Sequence, residues 1–173
     1  MTVTPKITTI PTPDPLAATF AEMGIESTTY QHPAVFTVEE GKGFKHEMPG
    51  GHTKNLFLKD HKGKIWLVTA KQDTEIDLKK LPARINSARL SFGNAELMNA
   101  LLGVTPGSVT ALGLINDNQR QVSPVIDKRL MEHEIVNCHP LRNDMTTAIK
   151  TADLVKFMKT LGYDPLIVDF SRL

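Results

Sequence analysis

The chain has 173 residues, enough for one domain with a substantial core, and its 40% hydrophobic and 23% charged residues are typical of a globular protein. A net charge of +1 provides no global field that attracts nucleic acid, so an RNA contact must be local and no DNA partner is expected. The single cysteine excludes an internal disulfide, and the six histidines show no metal-ligand spacing, so we expect no metal and no other cofactor.

No apolar run approaches the roughly 20 residues of a membrane span, and residues 1–15 lack the pattern of a signal peptide. We therefore expect a cytoplasmic protein without membrane contact. Residues 1–13, rich in proline and threonine, predict a flexible arm, and residues 14–173 predict the folded domain. Asp14 can cap a first amphipathic helix that Gly24 ends.

Strands and a short helix are predicted next along the chain. Weak alternation predicts a strand over residues 27–32, and Thr37 followed by acidic residues predicts a brief helix. Two apolar segments, 54–58 and 64–70, flank the turn around Gly63 and predict an antiparallel hairpin. Both segments are apolar enough to be central strands.

The second half of the chain mixes short helices with short strands. Asn94 can cap a helix that Gly103 ends, and Thr151 can cap a final helix that Gly162 ends. The other expected elements are a helical turn at 77–81 that Pro82 stops and strands at 88–92, 122–126, 134–138, 145–149 and 165–170. This mixed order predicts a single α+β domain rather than a regular βαβ winding.

Lys54 and Asn55 are the first functional candidates because they stand where a polar segment runs into the first strand of the hairpin. The backbone at a strand start is held by the sheet while its side chains can face a cleft, so a cation and an amide there can be aimed at a ligand. The alternative is that Lys54 is a solvated lysine at a strand end.

Further candidates are His139, at the end of a strand, and the turn that contains Gly107 and Ser108. The turn could present backbone N–H groups to a ligand carbonyl or oxyanion, since glycine permits close approach. The alternatives are a structural histidine and an ordinary turn. Cys138 precedes His139, but neighbouring strand residues point to opposite faces, so an inert buried cysteine is favoured over a thiol nucleophile.

Several segments in order carry a resemblance to a known family: 32–40, 53–58, 92–97, 103–109 and 139–143. Together they resemble the YbaK/prolyl-tRNA synthetase-associated editing family, most closely its free-standing alanyl-tRNA(Pro) deacylases. The resemblance implies a mixed, mostly antiparallel sheet, partly barrel-like and flanked by helices. It also implies a trans-editing hydrolase, which cleaves the ester between alanine and the terminal adenosine of wrongly charged proline tRNA.

Roles for the candidate residues follow from the resemblance by position. It implies that Lys54 holds the terminal phosphate or ribose of the tRNA and that Asn55 occupies the polar position beside it. Gly107 and Ser108 match the loop that contacts the ester carbonyl region, and His139 matches a histidine on the far wall of the site.

Val35 and Thr37 fall where the family lines its amino-acid pocket. The implied attacker is water assisted by a ribose hydroxyl of the substrate, without metal or cofactor. The implied partner is the acceptor end of tRNA(Pro) carrying alanine, with prolyl-tRNA synthetase as a further candidate. Two alternatives stay open: deacylation of another small residue such as cysteine or serine, and a non-enzymatic RNA-binding module that uses the edge 42–54.

Overall fold

Nine strands of the described residues, 7–34 and 47–172, form one continuous sheet in the computed structural model. Their bounds are Thr8–Ile10 (β1), Ser27–Gln31 (β2), Gly51–Asp60 (β3), Ile65–Lys71 (β4), Leu90–Phe92 (β5), Val122–Asp127 (β6), Ile135–Cys138 (β7), Met145–Lys150 (β8) and Leu166–Val168 (β9). They lie in the order β1-β2-β8-β7-β3-β4-β6-β9, with β5 paired to β3 beside this path.

The sheet is mixed and mostly antiparallel, as predicted. Parallel pairing joins β3 to β7, β4 to β6 and β6 to β9, and the other pairs are antiparallel. The path ends at β1 and at β9, so the sheet of the described residues is open. The expected α+β domain is confirmed, whereas the partial barrel is not: the strands end at two free edges instead of closing on each other.

Four α-helices of the described residues flank this sheet: Leu16–Met23 (α1), Leu81–Ile85 (α2), Ala95–Leu102 (α3) and Thr151–Leu161 (α4). Short 3-10 helices cover Ala111–Asn116, Lys128–Glu132 and Phe170–Arg172. Within residues 7–34 and 47–172, every helix is too short or too polar to cross a membrane.

The two faces of the sheet bury separate apolar clusters because side chains alternate along a strand. Phe57 of β3 belongs to the larger cluster, which includes residues of α1, α3 and α4, and the rings of Phe20 and Phe157 meet edge to face there at 5.8 Å. Leu58, the next residue, belongs to the second cluster together with Leu81 of α2. The long strand β3 is therefore buried on both faces at its centre.

β3 also joins the two halves of the sheet. Its first residues, Gly51 and His52, pair in parallel with Val136 and Asn137 of β7, while residues 53–59 pair with β4. Beyond His52 the ladder between β3 and β7 stops. The two parallel strands separate at this point, and a separation of neighbouring strands is a common place for a crevice.

Several predicted boundaries are confirmed. The Asn94 side chain accepts a hydrogen bond from the Leu97 amide at 2.8 Å at the start of α3, and Gly103 ends this helix with φ 68°. The hairpin forms as predicted, with β3 extending further toward the amino terminus than expected. The helix predicted to follow Thr37 lies outside the described residues.

Two other boundaries were wrong. Lys150, not Thr151, precedes α4, and the Thr151 hydroxyl instead donates to the His133 carbonyl at 2.5 Å. Pro82 does not stop a helix: it lies in the first turn of α2, where a residue without an N–H is tolerated.

The segment predicted as a flexible arm contains a strand. Thr8–Ile10 pairs with β2 along the edge of the sheet, with Thr8 opposite Gln31 and Ile10 opposite Thr29. Backbone pairing thus fixes residues whose proline- and threonine-rich surroundings predicted a loosely held chain.

Candidate functional site

A small cavity lies at the point where the pairing between β3 and β7 ends. Its volume is about 20 Å³, and the described residues that line it are His52, Thr53, Asn137, Cys138, His139 and Thr146. His52 and Asn137 are a cross-strand pair, and paired side chains share one face of a sheet. His139 and Thr146 continue the β7–β8 ladder one step beyond the pair Cys138–Thr147, on that same face.

His139 is held by a backbone contact at the rim of this cavity. Its Nδ1 lies 2.8 Å from the carbonyl oxygen of Met145. A carbonyl only accepts, so Nδ1 carries a proton, and in the neutral ring Nε2 then carries the lone pair. The β7–β8 ladder therefore fixes both the ring orientation and the tautomer of His139.

Lys54 follows Thr53, which lines the cavity, and its side chain reaches the segment after β4. The half-buried Lys54 ammonium donates to the backbone carbonyl of Thr74. An ammonium has three N–H donors, so the contact leaves donors for a ligand. Lys54 is thus a positioned cation rather than a freely solvated strand-end lysine.

Thr74 is itself fixed by buried polar contacts. Its hydroxyl donates to Asp127 Oδ2 at 2.5 Å and accepts from Arg129 Nη1 at 2.9 Å. Asp127, fully buried at the end of β6, also accepts from the backbone amides of Lys71 and Arg129, each at 3.0 Å. The carbonyl that receives Lys54 therefore belongs to a rigid part of the structure.

Thr74 also lines a larger surface cavity of about 510 Å³. The described residues that line this cavity are Asp73, Thr74, Glu75, Asp77, Lys80, Arg129, Phe170 and Ser171. The Arg129 guanidinium lies 3.2 Å from the Asp73 carboxylate. Desolvation acts to raise the pKa of the largely exposed Asp73, but the hydrogen bond and positive charge of Arg129 hold that pKa below its ordinary value.

Asn55 does not accompany Lys54. Consecutive strand residues point to opposite faces, and the Asn55 amide oxygen accepts from the Thr69 hydroxyl at 2.8 Å across the β3–β4 ladder. The sequence places the two residues together, whereas the sheet separates their side chains.

Gly107 and Ser108 lie in the loop between α3 and the 3-10 helix Ala111–Asn116. Gly107 has φ 93°, which favours glycine, and the amide of the buried Ser108 donates to the Thr105 carbonyl at 3.0 Å. Neither residue is among the described residues that line the small cavity. Val35 and Thr37 lie outside the described residues, so the structure does not test the expected amino-acid pocket.

The sequence patterns did not indicate four residues of this region. His52, Asn137 and Thr146 line the cavity, and the Thr74 carbonyl accepts the hydrogen bond from Lys54. A signal existed for Asn137, because a carboxamide between the apolar residues Val136 and Cys138 is unusual in a buried strand. Thr74 offered no such signal, since its importance comes from contacts distant in sequence.

Within residues 7–34 and 47–172, no group of three or more His, Cys, Asp or Glu side chains is arranged to hold a metal ion. The expectation of a metal-free protein therefore stays a prediction about the whole chain.

Comparison with models of protein families assigns the chain to one family. The model of the aminoacyl-tRNA editing domain matches residues 32–157. The chain belongs to this family. The resemblance drawn from the sequence motifs is thereby confirmed, and the matched region includes β3, β7, the small cavity and all five described candidate residues.

Curated proteins with similar sequences support the assignment of this chain to the editing-domain family. The chain is 37% identical over 150 residues to the prolyl-tRNA synthetase associated domain-containing protein 1 of Danio rerio, covering 86% of this chain and 82% of the relative. It is also 37% identical over 142 residues to the prolyl-tRNA editing protein ProX of Acetoanaerobium sticklandii, covering 82% of this chain and 87% of the relative.

Solved structures share the fold of the editing domain. The crystal structure of hypothetical protein APE2540 superimposes with a TM-score of 0.72 at 15% identity, covering 89% of this chain and 97% of the other. A protein proposed to be a trans-editing enzyme for prolyl tRNA synthetase gives a TM-score of 0.67 at 16% identity, covering 89% and 92%.

Proposed function

We propose that this chain is a trans-editing hydrolase that removes alanine from wrongly charged tRNA(Pro). Membership of the aminoacyl-tRNA editing domain family supports the reaction class, and the relative named prolyl-tRNA editing protein ProX supports the tRNA. The observation that carries the proposal is local: Lys54, a cation that donates to the Thr74 carbonyl, directly follows Thr53, which lines the cavity together with His139.

The reaction needs no protein nucleophile. An aminoacyl ester is already activated, so an aligned water and stabilisation of the developing negative charge suffice. The water oxygen attacks the ester carbonyl carbon with the assistance of a ribose hydroxyl of the substrate. The bond between that carbon and the ester oxygen then breaks, and the ester oxygen takes up a proton. Alanine leaves as the free amino acid, and the terminal adenosine regains its hydroxyl group.

Each candidate residue has a distinct role in this proposal. The remaining N–H donors of Lys54 bind the terminal phosphate or ribose, a role that suits a compact ammonium. His139 forms the far wall of the site. The loop with Gly107 and Ser108 contacts the ester carbonyl region, and Asn55 supports β3 next to Lys54.

Discrimination between alanine and proline is proposed to be steric. A synthetase that accepts proline cannot strongly reject a smaller residue by binding alone, so a second and smaller pocket sorts the products. Val35 and Thr37 are proposed to form that pocket, which admits a methyl group and clashes with a pyrrolidine ring. The protein would act in the cytoplasm on tRNA(Pro), with prolyl-tRNA synthetase as the source of the substrate and a candidate partner.

A panel of charged tRNAs tests the proposal. The purified protein should release alanine from Ala-tRNA(Pro) and leave Pro-tRNA(Pro) intact. Faster release of cysteine or serine would replace the proposed substrate by another small residue. Binding of tRNA without hydrolysis of any ester would contradict the enzyme and favour an RNA-binding module.

A further inference from the structure

The Asn137 side chain is the unusual member of the small cavity. It is 3% exposed, its Nδ2 donates to the Pro49 carbonyl at 3.0 Å, and its Oδ1 has no hydrogen-bond partner among the described residues. A carbonyl only accepts, so the atom that faces Pro49 must be the NH₂ group. The oxygen of Asn137 is therefore the group left without a donor.

A buried acceptor without a donor is costly and calls for an explanation such as a missing water or ligand. Asn137 lines the cavity, and its pair partner His52 lines it too. The unmatched oxygen thus points to an occupant that donates hydrogen bonds.

The hydroxyl groups around Asn137 do not supply that donor. Thr53 Oγ1 donates its proton to the backbone carbonyl of Asn137 at 2.7 Å. Its remaining lone pairs can only accept.

The hydroxyl proton of Thr146 is also already donated to another residue. Its Oγ1 lies 2.7 Å from His32 Nε2, while His32 Nδ1 lies 2.8 Å from the Pro33 carbonyl. Nδ1 must donate to that carbonyl, so in the neutral ring Nε2 accepts the Thr146 hydroxyl proton. Thr146, Thr53 and Asn137 therefore all present oxygen lone pairs.

Size and polarity together define the occupant. A volume of about 20 Å³ admits one small head group, since a single water needs roughly 10–15 Å³. An ammonium group fits this lining best because it has three donors, no acceptor and a positive charge. Water is less well matched, since its own lone pairs would meet further acceptors.

We propose that this cavity is the subsite for the α-ammonium group of the aminoacyl ester, with Asn137 Oδ1 as its main acceptor and Thr146 and Thr53 as supporting acceptors. This inference rests on the proposed deacylase function. Only the ammonium head group enters the cavity, and the methyl group and ester of alanine lie outside it. The subsite selects esters with a free amino group and rejects those with an acylated amine.

The experiment compares alanyl-tRNA(Pro) with lactyl-tRNA(Pro), in which a hydroxyl replaces the ammonium. The variant Thr146→Val keeps the side-chain shape and removes the acceptor, and Asn137→Leu removes the main acceptor. Because a hydrogen bond to a charged group is stronger than one between neutral groups, each variant should lose on the order of tenfold or more in kcat/KM on the alanyl ester. The loss on the lactyl ester should be much smaller.

Thr147→Val is the matched control. Thr147 is the next residue of β8, is buried on the opposite face and shares a 2.8 Å hydrogen bond with Thr29. Its loss should affect both esters equally. The α-ammonium also activates an ester intrinsically, but this contribution cancels when the variant-to-parent ratios of the two substrates are compared.

Equal losses on both esters for Thr146→Val and Asn137→Leu would overturn the subsite and leave a cavity filled by water only. If thermal melting shows that Asn137→Leu does not fold, Thr146→Val decides. A parent protein that hydrolyses no alanyl ester would instead refute the proposed function itself, so the two failures are distinguishable.

Discussion

The ammonium of Lys54 donates a hydrogen bond to the backbone carbonyl of Thr74, although the two residues belong to different segments of the chain. Thr74 is in turn held by the buried Asp127. A lysine at the end of a strand normally keeps several rotamers in water, so this contact restricts the side chain before any substrate arrives. Its position beside the cavity residue Thr53 makes Lys54 the most testable residue of the site.

Lys54→Ala should abolish most deacylation while the protein stays folded. The half-buried Lys54 contacts a backbone carbonyl among residues 7–34 and 47–172, whereas its proposed role in binding a phosphate or ribose is central. We expect a loss of at least about tenfold in kcat/KM at subsaturating tRNA. Lys54→Arg should rescue only partly, because a planar guanidinium does not replace a compact ammonium.

Lys59→Ala is the control for Lys54→Ala, since Lys59 is an exposed lysine of the same strand. It should leave kcat/KM nearly unchanged. Equal activity of the Lys54→Ala protein and the parent would remove Lys54 from the site.

Thr74→Val should reduce activity through Lys54. The substitution removes the hydroxyl that binds Asp127 and loosens the carbonyl that receives the ammonium. We expect a loss of roughly 1.5–3 kcal/mol in stability, typical of a hydrogen bond to a charged group, and a several-fold fall in kcat/KM. Thr74→Ser retains the hydroxyl and should restore most of the activity.

The decisive measurement for Thr74 is a double-mutant cycle. In the Lys54→Ala background, Thr74→Val should cause almost no further loss of activity, because it acts through a side chain that is gone. Additive losses would show that Thr74 has only a general structural role. Thr29→Val, which removes another buried hydroxyl, serves as the stability control.

Cys138 should resist alkylation in the folded protein. Burial raises the pKa of its thiol to about 12, outweighing the opposite effect of the Thr53 hydroxyl, which lies 4.0 Å from the sulfur. The thiolate is the reactive form, and its fraction at pH 8 is then on the order of 10⁻⁴. Mass spectrometry after iodoacetamide treatment should find little native adduct and full labelling in denaturant, and Cys138→Ala should retain deacylation. Rapid native labelling that stops activity would revive a thiol mechanism.

Val35→Ala should widen the proposed amino-acid pocket. Removing two methyl groups from an apolar wall opens space for a larger side chain, because close-packed walls leave few voids to absorb extra atoms. The rate on 2-aminobutyryl-tRNA(Pro) should therefore rise relative to the rate on alanyl-tRNA(Pro). An unchanged ratio would show that Val35 is not part of the size sieve.

Local signals explain where prediction from the sequence succeeded in the fold. Asn94 and Gly103 bound α3 because a capping side chain and a left-handed residue act within one turn of the backbone. The hairpin of β3 and β4 was equally readable from two apolar segments and a turn. The prediction that Thr151 caps the last helix was wrong because its hydroxyl donates to the His133 carbonyl, in a segment that folding brings close.

The sequence by itself determined the α+β class, the editing-domain family and the candidates Lys54 and His139, because motifs and short-range periodicity carry that information. Only the tertiary structure decided that Lys54 and Asn55 face opposite sides of β3 with different partners, Thr74 and Thr69. It also assembled the cavity around Asn137. That cavity depends on the registers of β3, β7 and β8, which bring together residues more than 80 positions apart, such as His52 and Asn137. Register between distant strands is set by the packing of whole faces, and no local pattern along the chain encodes it.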